Sequence, residues 1–188
     1  MRLAIFVLLS SLALPAQTQP DIWKQVNPFY NGPGLQSVRP SDAQLAAMAR
    51  LIPTHQGDWG CAGRNLNDLI RGLTLEVIPL APGKTVFLVE AGRGCARGGQ
   101  GANGAMWIIQ FNGATPVLLA SPDNEFQGWL YSIPPTTSHG YKDIVLGWHM
   151  GAGEADHTYF RFDGKSYAAI SHGTAIAGED GQPKIVHD

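Results

Sequence analysis

Two histidines and two carboxylates crowd one nine-residue stretch: His149, Glu154, Asp156 and His157. An imidazole oriented by a carboxylate is a common general acid–base couple, so these four are the candidate catalytic residues. A metal would need three or four ligands converging at about 2 Å. No His-Glu-x-x-His spacing supplies them, and neither metal nor cofactor is expected. Serine chemistry has less support. Ser121, Ser132, Ser138 and Ser171 all lack the Gly-x-Ser-x-Gly setting of a nucleophile elbow.

The second candidate is the glycine-rich loop 92–104, which carries Arg93, Arg97 and Asn103. No acid occurs from residue 91 through residue 122. Clustered backbone N–H groups and two guanidiniums suit a carboxylate or phosphate, so these three are the candidate ligand-binding residues. A dinucleotide fingerprint is excluded, because Arg97 stands where Gly or Ala is needed. Trp107-Ile108-Ile109, a strand-like run, follows in place of a phosphate-holding helix. Trp59, Trp107, Trp129, Trp148 and Tyr131 would suit a sugar-stacking platform. Trp107 and Trp148 sit in the most apolar strands and are expected in the core.

The elements that must position these residues are mostly strands. Runs at 73–80, 85–90, 105–111, 116–120, 128–133, 143–149, 157–162 and 166–170 have β-rich composition bounded by turn residues. One helix is expected after Ser41, whose side chain can cap it, with Asp42 at the positive end of the dipole. Leu45, Met48, Ala49 and Ile52 fall on one face, and Pro53 ends it. A second short helix is expected over 65–71. The fold class is therefore mainly β (α+β). Two antiparallel β-meanders would pack as a small sandwich or partial barrel, with one or two short N-terminal helices.

The chain ends bear on location. Arg2 precedes an apolar run over residues 3–14, then Pro15 and Ala16, which reads as an export signal cut after residue 16. The run is too short to span a bilayer, which takes about 20 residues. Residues 17–39 read as an extended arm pinned by Trp23, Phe29 and Tyr30. Residues 40–178 read as one β-rich domain and 179–188 as a surface tail. An exported chain with only Cys61 and Cys95 is expected to join them in a disulfide. With 13 Lys+Arg against 15 Asp+Glu the net charge is −2. That mild balance argues against a nucleic-acid partner. None of the asparagines opens an Asn-x-Ser/Thr sequon, which favours a bacterial periplasmic or secreted protein.

One segment echoes another. Lys84-Thr85-Val86-Phe87-Leu88 leads through a loop to Ile109-Gln110-Phe111-Asn112-Gly113. Lys142-Asp143-Ile144-Val145-Leu146 leads likewise to Phe160-Arg161-Phe162-Asp163-Gly164. Asn-Gly and Asp-Gly are strong hairpin signals, and a repeat at this spacing suggests a duplicated supersecondary unit. The second copy, from Gly140 through Asp143 to Tyr167, resembles the Gly-x-x-Asp-Leu-Val…Phe-Asp-Gly-x-x-Tyr pattern of uncharacterised exported bacterial proteins, distantly similar to FG-GAP repeat blades. The calcium loop of those blades is absent. The resemblance implies an exported β protein and no defined activity.

Three functions fit. The first is a non-enzymatic binding module for an envelope protein, a glycan or a small anion, with loops 92–104 and 149–157 as its surface. The second is a small envelope hydrolase using His149 or His157 with Glu154 or Asp156. The third rests on Asp163-Gly164-Lys165-Ser166-Tyr167, which is similar to the Ser-Gly-x-x-Tyr loop of lysozyme inhibitors, with Asp163 replacing the Ser.

Overall fold

A computed structural model describes residues 22–26, 34–54, 73–91, 97–98, 103–151, 154–177 and 183–187. The export signal, the 65–71 helix, Phe29, Tyr30, Trp59, Cys61, Arg93 and Cys95 lie outside the described residues. So does the expected disulfide.

The helix forms where expected. α1 spans Asp42–Leu51, and Ser41 caps it through a reciprocal capping box with Gln44. Its Met48 and Ala49, with Ile52 just beyond, are buried.

The strands are β1 (Gln36–Ser37), β2 (Leu73–Val77), β3 (Val86–Ala91), β4 (Arg97–Gly98), β5 (Asn103–Asn112), β6 (Thr115–Ala120), β7 (Gln127–Ser132), β8 (Thr137–Ser138), β9 (Tyr141–Lys142), β10 (Ile144–Gly151), β11 (Glu154–Phe162), β12 (Tyr167–Ala177) and β13 (Pro183–His187). Hydrogen-bonded neighbours run β1-β2-β3-β5-β7-β10-β11-β12-β13, with β4 and β6 also paired to β5 and a separate β8-β9 hairpin. All pairings are antiparallel. The fold is the expected mainly-β class, and the sheet is not closed.

The sequence echo has a structural counterpart. β3, β5 and β6 match β10, β11 and β12 in order and connection, and β2 and β7 flank the two sets. Each meander buries one face in a shared core. Val86, Leu88, Met106 and Ile108 meet Ile144, Leu146, Phe160 and Tyr167. α1 covers the outer face of the first meander over Phe87, Val89, Trp107 and Ile109. Trp23 and Val26 cover the outer face of the second, over Tyr131, Val145 and Tyr159. β5 holds the meanders together: Ile108 to Asn112 pair with β6, and Gly104 and Ala105 pair with β7.

Two differences from the sequence reading matter for the site. β12 runs on to Ala177 instead of stopping near Ile170. Residues 183–187, read as tail, form the edge strand β13. The cause is a second alternation, Ser171, Gly173, Ala175 and Ala177 against His172, Thr174 and Ile176. Its small residues hide a strand from propensity alone.

Candidate functional site

Partners directly opposite in an antiparallel ladder share a face, and successive residues alternate. On the core face of β10–β12 the rows run from apolar to polar. Ile144 stands opposite Phe160, and Phe160 opposite Ala169. The next row is Leu146, Thr158 and His172; the third is Trp148, Asp156 and Thr174, extended by Val186 on β13. The first row is roofed by the opposite meander. Among the described residues, no side chain of the third row belongs to that shared cluster. Val186 and Ile176 on this open end are 48% and 38% exposed.

The open end is partly organised by its own hydrogen bonds. Thr174 Oγ1 donates to Asp156 Oδ1 at 2.9 Å, and Thr158 Oγ1 lies 3.3 Å from His172 Nδ1. A cavity of about 310 Å³ is bordered by Asp156, His172, Gly173, Thr174, Val186 and His187. That volume is at the small end of ligand pockets.

The four candidate catalytic residues do not converge. Asp156 and Glu154 lie on the core face of β11, whereas His157 lies on the opposite face. His149 is opposite Ala155 and so shares the face of His157. The acid–imidazole couple expected of a hydrolase is therefore split across the sheet. Asp156 is engaged by Thr174, and neither ring nitrogen of His157 has a hydrogen-bond partner among the described residues. His157 is 1% exposed. Burial pushes its imidazole down from 6.5 to about 4, against the opposing pull of Asp156 and the Ala155 carbonyl.

Asn103 is a structural clamp. It is buried, its Nδ2 donates to the His149 carbonyl at 3.0 Å, and its Oδ1 accepts the His149 N–H at 2.8 Å. Both ends of the amide serve a β-type bridge from β5 to β10. Of Arg97 only the backbone, paired with Gly104, is described. Trp107 is core, as expected; Trp148 is half-buried at the open end. Trp148, expected in the core, instead stands on the same row as Asp156, and sequence reasoning does not reach His172 and Thr174 because β12 continues past Ile170. The period-two alternation over 171–177 is the signal that could have found them.

The Gly-x-x-Asp motif has a structural role. Asp143 is fully buried; its Oδ2 accepts Tyr159 Oη at 3.1 Å, Arg161 Nε at 3.3 Å and an Arg161 terminal nitrogen at 3.1 Å. Thr136 Oγ1 lies 2.7 Å from Tyr159 Oη. The Asp143 carboxylate in turn raises the guanidinium pKa of Arg161. Asp163, in the following turn, accepts the Lys165 and Ser166 N–H groups at 2.7 and 2.8 Å. These bonds hold its carboxyl below the ordinary range and account for the Asp-Gly-Lys-Ser segment as a turn.

Among the described residues no group of three His, Cys, Asp or Glu side chains is placed to hold a metal ion, and no helix is long and apolar enough to cross a membrane. No family model matches this chain, and neither a curated protein nor a solved structure is significantly similar to it.

Proposed function

We propose that the chain is an exported, non-enzymatic binding module whose ligand is a glycan of the bacterial cell envelope, held at the open end of the core face of β10–β13. The observation that carries this reading is the cross-strand row Trp148, Asp156, Thr174 and Val186, of which Asp156, Thr174 and Val186 border a cavity of about 310 Å³. An indole offers an apolar face to the C–H side of a sugar ring. A carboxylate accepts from sugar hydroxyls, and threonine and histidine both donate and accept. Asp156 and Glu154 on this face disfavour the small-anion alternative. Asn103 is already committed to the backbone of His149.

Export rests on Arg2, the apolar run over 3–14 and the two cysteines. The test is a screen of envelope-type oligosaccharides on an array, followed by calorimetric titration of the best binder. Trp148→Ala should weaken binding at least ~10-fold, about 1.4 kcal/mol, and Asp156→Asn should weaken it too. Absence of any oligosaccharide binder, or unchanged affinity in Trp148→Ala, refutes the reading.

A further inference from the structure

Behind the proposed site, on the outer face of the same strands, His157 has no role in ligand contact. Its cross-strand neighbours on both sides are glycines, Gly147 on β10 and Gly173 on β12. Gly147 is roofed by Trp129, and Gly173 by Ile185 with Trp23 beside it. A Cβ on Gly147 would run into the Trp129 ring, and one on Gly173 would stand 2.8 Å from Ile185 Cγ2 and 3.4 Å from Trp23 Cζ2. Tyr131 meets the imidazole edge to face at 4.2 Å between centroids. The ring therefore occupies an aromatic slot in which Tyr131 touches it and Trp23, from the N-terminal segment 22–26, packs over the neighbouring Gly173.

That segment is held by side chains. Trp23 Nε1 donates to Ser171 Oγ at 2.9 Å, its ring packs edge-on against Tyr159, and it stacks on His187. Val26 is buried, and its N–H donates to the Trp23 carbonyl at 3.0 Å.

We propose that segment 22–26 is a pH-sensitive strap: protonation of His157 in weak acid loosens it from the sheet while the sheet stays folded. An imidazolium has two N–H groups to satisfy. The closed slot offers aromatic rings, which recover only part of the lost hydration. Among the described residues, the titratable and charged groups on this face are Tyr131 from β7, Asp143 just before β10, His149 from β10, Tyr159 and Arg161 from β11, and His187 from β13. β12 contributes Ser171 and Gly173, and the strap contributes Trp23 and Val26. Among the described residues of this face the one carboxylate, that of Asp143, is already paired with Arg161.

The sign follows from linkage. The closed state holds His157 at about 4, against the ordinary 6.5 of a solvated imidazole in the open state. Closure is fully favoured above pH 6.5. It weakens as pH falls, because the open state takes up the proton first. The loss is about 30-fold at pH 5 and approaches ~300-fold below pH 4.

The experiment is hydrogen–deuterium exchange by NMR at pH 7.5 and pH 5, corrected for intrinsic rates. It reads the Val26 amide against the amides of β3 and β5. Val26 protection should fall about 30-fold while β3 and β5 keep theirs. The loss should vanish in His157→Phe; His157→Gln supplies the same arm if the phenylalanine variant does not fold. The loss should persist in His149→Asn and His187→Asn. Unchanged Val26 protection overturns the proposal. So does an equal loss in both His157 variants, abolition by His187→Asn, or simultaneous opening of β3 and β5.

Discussion

Removing the guanidinium of Arg161 should cost more than any other single exposed-side truncation in the second meander. Asp143 has no exposed surface, and Arg161 supplies two of the three side-chain donors to its Oδ2. Arg161→Met leaves a buried carboxylate with only the Tyr159 phenol. Breaking a buried pair from one side costs about 3–5 kcal/mol. The Arg161 side chain is 27% exposed, so water reaches the pair and the expected loss is nearer ~2–3 kcal/mol. With a urea slope of about 2 kcal/mol/M, the unfolding midpoint should drop by about 1–1.5 M. Adding Asp143→Asn removes the stranded charge. The double variant should then be more stable than the sum of the singles predicts, by at least ~1 kcal/mol. The assay is urea unfolding at pH 7 followed by circular dichroism on the four members of the cycle. A loss below ~1 kcal/mol for Arg161→Met, or simple additivity, refutes the claim that this pair is a buried clasp.

Two further outcomes are open to direct measurement. Gly147→Ala should destabilise by about 1–3 kcal/mol through overpacking, because the new methyl would meet Trp129 Cζ2 at 2.4 Å and Cε2 at 2.5 Å; urea unfolding reads it, and a neutral result means that Trp129 does not pack there. If the chain is exported as proposed, Cys61 and Cys95 should show no free thiol to a chromogenic reagent under denaturing conditions. Reduction should cost roughly 3–4 kcal/mol for a loop of this length, and two titratable thiols would remove the disulfide.

The strands were legible because their composition and turns follow simple rules. Val86 to Ala91 is a run of β formers, and the Asn112-Gly113 and Asp163-Gly164 turns fall where hairpin chemistry puts them. The helix was legible from Ser41, Asp42 and the spacing to Ile52. The end of β12 and all of β13 were not, since Gly173, Ala175 and Pro183 carry little β propensity and are held by their neighbours. The site failed for a different reason. His149, Glu154, Asp156 and His157 are close in sequence, yet a period of two puts Asp156 and His157 on opposite faces. Adjacency in a strand guarantees separation. Asn103 looked like a ligand contact because nothing local shows that its amide will meet the backbone of His149, 46 residues on.

The strap has a consequence for how the molecule is completed. Trp23 is among the first described residues, and its partner Ser171 lies 148 positions later. Most sheet pairings, in contrast, join strands that follow one another along the chain, so hairpins can zip up locally and early. If the polypeptide is threaded through a membrane from its N-terminus, Trp23 arrives long before its seat exists. Its seat is finished only when the last two strands have joined, so a docked Trp23 marks a molecule that has emerged whole.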